Sequence, residues 1–261
     1  MPDSFEIVLG SGTLIATAIH DGSRLREDLK SHINLNKLER LREEDPFTAE
    51  WVEIADNQVI AFDTRFEVDL NRPRDKAIYL KPEDAWGLKV WKEELSPDQI
   101  NYSLKKYDHF YRDVQIFMDQ IKQKFGGVVV YDLHTYNHRR DGQDAPAASP
   151  EENPEVNVGT GNMNRKKWAP LVENFMETLS SFDYQGRNLD VRENVKFKGG
   201  HFSGWIHQTF PDVSCVLSIE VKKFFMDEWT GIPDKHQLNL VKEALRSTVP
   251  GVLNNFQKII R

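Results

Sequence analysis

Four apolar runs along the chain read as strands buried on both faces, because continuous β-branched stretches bounded by Gly, Pro or a charged residue suit a covered sheet. They are Gly12 to Ile19 ending in His20, Gln58 to Phe62 followed by Phe66 to Leu70, Val128 to Leu133 ending in His134, and Val213 to Ile219 ending in Glu220. Helical periodicity fills the intervals. Residues 96–125 open with Ser96-Pro97-Asp98-Gln99, a capping box with Pro at the first helical position. Apolar side chains then recur at Tyr107, Phe110, Tyr111, Val114, Phe117, Met118 and Ile121, close to a 3.6-residue period. Gly126-Gly127 stops this helix. Further helices are expected over 165–182, started or bent by Pro170, and over 236–258. Strands alternating with helices predict one α/β domain over 1–261 with a mixed, mostly parallel sheet flanked by helices.

One stretch breaks the pattern. His138 to Gly161 holds three prolines and three glycines among many charges and has no apolar period. A loop of that length in a compact domain is commonly a lid, a binding loop or an insert, and this one directly follows the strand that ends in His134.

Composition narrows the function classes. The chain has 261 residues, with 34 Lys plus Arg against 41 Asp plus Glu, a net charge of −7. An acidic balance argues against general nucleic-acid binding, which needs a basic face. No apolar stretch reaches the ~18 residues of a membrane span. The single cysteine, Cys215, excludes an internal disulfide framework and a CxxC zinc module, and its apolar neighbours mark it as buried. The first ten residues carry Asp3 and Glu6 and no basic stretch, so a secretory signal is not expected and a reducing cytoplasm fits best.

Three ionisable residues share one context. His20, His134 and Glu220 each end a predicted buried strand, and open α/β sheets bind ligands outside the carboxyl ends of their strands. Two imidazoles and a carboxylate are a usual donor set for catalytic zinc, although a strand-end histidine also occurs as a satisfied structural group. Arg65 and Arg72 lie in DTRFEVDLNRPRD (63–75). A guanidinium fork binds a carboxylate bidentately, or both arginines pair with Asp69 or Asp75 at the surface. Gly199-Gly200 permits close backbone approach or an ordinary turn. His201 and His207 read as structural or exposed.

The order of these motifs resembles the N-formylglutamate amidohydrolase family, whose site design is similar to that of zinc carboxypeptidases. The segments are IHDG (19–22), REEDPFTAEW (42–51), TRFEVDLNR (64–72), VVVYDLHTY (128–136), NVGTGNMN (157–164), NVKFKGGHF (194–202) and LSIEVKKFFMDEWTG (217–231). The sequence departs from the family pattern at Ile19, Asp21, Thr135 and the pair Lys222-Lys223, the last standing where an arginine often follows the glutamate.

The resemblance implies a zinc-carboxypeptidase-like fold and one Zn²⁺ per chain, other divalent ions being admissible. The implied ligands are His20, His134 and an acidic residue from the EED segment, Asp45 with Glu44 as the alternative. It implies Glu220 as general base, Arg65 as oxyanion partner, and Asn71, Arg72, Gly199 and Gly200 as substrate contacts. The implied reaction is hydrolysis of an N-acyl amino acid, N-formyl-L-glutamate being the family's type substrate. A related carboxypeptidase or deacylase, or a silent carboxylate-binding homologue, are the rival expectations. Small-molecule substrate is the only partner expected; neither nucleic acid nor membrane is.

Overall fold

The computed structural model describes residues 3–260. Its seven strands are β1 (Phe5–Val8), β2 (Leu14–Ala18), β3 (Asn57–Ala61), β4 (Val128–Tyr136), β5 (Val156–Gly159), β6 (Val191–Glu193) and β7 (Ser214–Lys222). The helices are α1 (Glu27–Lys30), α2 (Lys37–Glu43), α3 (Thr48–Trp51), α4 (Pro97–Phe125), α5 (Ala169–Ser180), α6 (His201–Thr209) and α7 (Lys235–Ile260). The strands form one sheet in the order β1-β3-β2-β4-β7-β5-β6. The β3, β2, β4 and β7 block is parallel throughout; β1 joins it antiparallel at one side and β5 antiparallel at the other. The fold is thus α/β with a mixed, mostly parallel sheet.

Both faces are covered, and alternate side chains of each strand serve different cores. Leu14, Ala16 and Ala18, with Val129, Tyr131 and Leu133 and with Cys215, Leu217 and Ile219, pack under α5 and α7. Ile15 and Ile19, with Val128, Val130 and Val216, pack under α4 and α6. The α4 residues in that second core are those picked out by the 3.6-residue period, and Ser96 caps the helix as expected, accepting from Gln99 N at 3.2 Å. Cys215 is buried and unpaired. No helix among the described residues is long and apolar enough to cross a membrane.

Two expectations are corrected. Phe66 to Leu70 is a loop, not a strand. Its apolar-polar alternation arises because both sides are buried. Phe66 enters a third apolar cluster, while Val68 and Leu70 join the α4 core. Glu67 meanwhile binds Arg26 and Lys106. The irregular stretch from His138 also ends sooner than Gly161, because β5 adds four residues to the sheet against β7.

Candidate active site at the strand ends

Residues distant in sequence meet at the carboxyl ends of β2, β4 and β7. His20 leaves β2, and its carbonyl accepts from Asp45 N at 2.9 Å. That bond docks the end of α2 beside the sheet. The α2 start is set by Asn36, whose capping box with Glu39 fixes where the helix begins. His134 and Glu220 are direct register partners on β4 and β7.

One ligand atom each from His20, Asp45 and His134 lies within 4.8 Å of the others, and all three residues are buried. Asp45 Oδ2 is 3.0 Å from His134 Nδ1 and 3.3 Å from His20 Nδ1. Thr135 Oγ1 donates to Asp45 Oδ1 at 3.1 Å. Burial by itself would raise the Asp45 carboxyl; the hydrogen bond with His134 and the charge of His134 and His20 outweigh it and hold the group well below the ordinary carboxylate range. Glu44, the alternative, is turned away: Thr64 Oγ1 donates to it, and burial pushes its carboxyl up to about 7.

The far nitrogens of both imidazoles face carboxylates. His20 Nε2 is 2.7 Å from Asp69 Oδ1, and His134 Nε2 is 3.1 Å from Asp132 Oδ2. At His20 the carboxylate keeps the proton on Nε2 and turns the Nδ1 lone pair inward, as in carboxylate–histidine–metal relays, whereas His134 Nε2 stands near Asp132 without a hydrogen bond and Nδ1 faces Asp45. His20 Nδ1 is buried and has no hydrogen-bond partner. An orphaned imidazole nitrogen beside a second one and an ionised carboxylate fits a divalent cation.

Asp69 is the hub of this arrangement. It accepts from Asn71 N at 2.7 Å, from Arg65 Nη2 at 2.8 Å and from Tyr79 Oη. Arg65 also donates to Glu43 O and Tyr79 Oη, each at 3.1 Å, which leaves two of its five N–H groups for other acceptors.

A cavity of about 350 Å³ opens over the cluster, and among its lining residues are His20, Asp45, Arg65, Asn71, His134, Gly199, Gly200 and Glu220. Burial pushes the Glu220 carboxyl up to about 7 against the opposing charge of His134. Gly200 packs so closely on Asn71 that a Cβ would run into its carboxamide, whose Oδ1 accepts from Phe202 N at 2.9 Å. Arg72 alone of the expected residues does not line the cavity. Its guanidinium lies over the Tyr79 ring, 4.6 Å from the centroid. His201 contacts Tyr107 Oη at 3.1 Å, and His207 accepts from Val216 N at 3.1 Å; both are structural.

Sequence reasoning missed Asp69, Asp132 and Lys223. Asp132 stands two residues before His134 on one strand, the spacing that puts two side chains on one face, and Asp69 opens the very DLNR segment that drew attention to Asn71 and Arg72. Lys223 is fully buried, and its Nζ donates to the carbonyls of Arg42 at 2.6 Å and Glu44 at 2.8 Å. It therefore ties down the turn that carries Asp45. Burial pulls its pKa down to about 8.

The family model described as N-formylglutamate amidohydrolase matches residues 12–225. Among solved structures, the fold is similar to an N-formylglutamate amidohydrolase from Ralstonia eutropha JMP134, at TM-score 0.72 and 18% identity over 97% of each chain. It is also similar to a gene product of Agrobacterium tumefaciens, at TM-score 0.65 and 15% identity over 95% of this chain and 96% of that one. No curated protein sequence matches.

Proposed function

The chain belongs to the N-formylglutamate amidohydrolase family, and from that premise we propose that it is a metal-dependent amidohydrolase of N-acyl amino acids, cleaving N-formyl-L-glutamate to formate and L-glutamate. The observation that carries the reading is the buried group of His20, Asp45 and His134 at the floor of a cavity, with Glu220 beside His134. Nδ1 of each histidine and an Asp45 oxygen would hold the ion, zinc in our reading, with iron, manganese or cobalt also suited to this donor set. When bound, such an ion acidifies water toward a pKa of ~7 and polarises a carbonyl.

The protein's own groups supply the rest. Glu220 takes the proton of the attacking water and hands it to the departing amine, a task for which a carboxyl pushed up toward neutrality is suited. Arg65 turns its uncommitted N–H groups toward the oxyanion, held rigid by its bonds to Asp69, Tyr79 and Glu43. Asn71, whose oxygen is already engaged by Phe202, offers its nitrogen to the substrate carboxylate beside the Gly199-Gly200 backbone. Arg72, stacked on Tyr79 and 3.8 Å from Asp69, stands next to Asn71 as the second group for that carboxylate.

Glu220→Gln tests the assignment. It keeps shape and hydrogen bonding but removes the proton acceptor, so kcat on N-formyl-L-glutamate should fall by about 10²–10⁴ with metal content unchanged. Retention of a third of the wild-type kcat would sink the mechanism; loss of the metal would make Glu220 a ligand instead.

A further inference from the structure

Trp86 borders the cavity and is 47% exposed, and it is a member of none of the three apolar clusters. Its main chain is left-handed, with φ 53° and ψ 28°, a conformation that bulky residues avoid and glycine takes freely. The turn that carries it is nonetheless firmly built. Ala85 is buried, and Gly87 N donates to Pro82 O and Leu88 N to Ala85 O, each at 2.8 Å. Asp84 Oδ2 accepts from Leu80 N at 3.1 Å and from Lys81 N at 3.0 Å. A tryptophan thus stands in unfavourable backbone on a braced turn, half in solvent. Strain that the surroundings enforce in this way clusters at working sites, and burial of the indole is not what maintains it here.

The ring meets Arg65. Arg65 Cζ lies 5.0 Å from the indole centroid, within cation–π range, and the Tyr79 ring lies edge-on at 5.9 Å. Arg65 is held through its N–H groups by Asp69, Tyr79 and Glu43. Trp86 adds something those bonds do not, an apolar surface against the same guanidinium. Such a surface keeps water from the cation, and a charge acts more strongly where water is excluded.

We propose that Trp86 is a positioning residue of the reaction: its indole caps the Arg65 guanidinium and keeps water off it, so that the uncommitted N–H groups act on the oxyanion rather than on solvent. The inference rests on the hydrolase reading, in which Arg65 is the oxyanion partner. Trp86 itself acts only through Arg65.

The test pairs chemical modification with kinetics in wild type, Trp86→Phe and Trp86→Leu. Phenylglyoxal, which condenses with accessible guanidinium groups, is applied to each folded protein, and its rate at Arg65 is read by peptide mass spectrometry. Hydrolysis of N-formyl-L-glutamate is measured on the same preparations. Because Trp86 lies outside the apolar clusters, both variants should keep the wild-type circular dichroism. Trp86→Leu should speed modification of Arg65 several-fold and lower kcat about tenfold, with KM little changed, as for a contact that matters only in the transition state. Trp86→Phe keeps an aromatic face and should restore most of both. An unchanged rate at Arg65 in Trp86→Leu overturns the cap. Faster modification with kcat unchanged overturns its part in the reaction, and so does a rise in KM alone, which would make Trp86 a wall against the substrate. A wild type that leaves N-formyl-L-glutamate intact overturns the hydrolase reading instead, and the modification rates then decide the cap by themselves.

Discussion

The behaviour of the two histidines is decided by groups one shell further out. His20 can present Nδ1 only while Asp69 holds Nε2, and Asp69 is kept ionised in a buried site because Arg65 and His20 outweigh its burial. Asp69→Asn keeps the size of the side chain but removes the charge that fixes the imidazole. Metal affinity, read by competition with a chromophoric chelator, should drop about 10–100-fold, and the far-ultraviolet circular dichroism should stay that of wild type. Unaltered affinity would mean that Asp69 serves only the Arg65–Tyr79 cluster. The two histidines themselves were legible as strand-end residues. Asp69 was not, because a carboxylate between two arginines reads equally well as a surface ion pair, and only the folded chain brings His20 to it across 49 residues. Asp21 shows the opposite case. Its oddity in the sequence, a charge beside a candidate ligand, resolves in the fold: it accepts from Ala49 N in the first turn of α3 at 3.0 Å.

Elements declare themselves in sequence to the degree that one face differs from the other. The α4 period, β4 and β7 were legible because each buries a long regular surface. The edge strands β1 and β6 and the strand β5 next to β6 have three or four residues each and carry charges or polar groups, so they lack any pattern longer than a turn. The connection between β4 and β5 belongs to this scale too. It leaves the sheet at Asn137, and Glu228 accepts from the main chain of His138 at 2.6 Å and Arg139 at 3.2 Å. Arg140 then reaches back to Glu43, and both line the cavity. Between Arg139 and Asn153 the chain is mostly exposed. A segment anchored at its root, with Arg140 lining the cavity, is expected to act as a lid. Limited proteolysis should therefore cut between residues 140 and 152 several-fold more slowly with saturating L-glutamate than without. Identical cleavage rates would reduce the segment to a passive insert.

For the molecule as a whole, the question is whether the proposed ion holds the fold together or only equips it. Two apolar cores, one on each face of the sheet, are built from β2, β4, β7 and the long helices, and none of their members is a candidate ligand. His20, Asp45 and His134 instead sit where those elements end. Their loss should leave the sheet formed. Removing the ion is not free, however, because Asp45, Asp69 and Asp132 then face one another's charge with only the two imidazoles between them. A ligand present at 1,000 times its dissociation constant stabilises the native state by about 4 kcal/mol, and in a chain of this size each kcal/mol moves the midpoint by roughly 2–4 °C. Dialysis against a chelator should therefore abolish amide hydrolysis and lower Tm by roughly 10 °C, while unfolding remains a single cooperative transition. Adding back zinc should recover both activity and midpoint. A chelated protein without a cooperative transition would make the ion a structural component, as in domains too small to bury a core. Full activity after chelation would instead show that the histidine–aspartate cluster works without a metal, and the role given to Glu220 would have to be rebuilt on it.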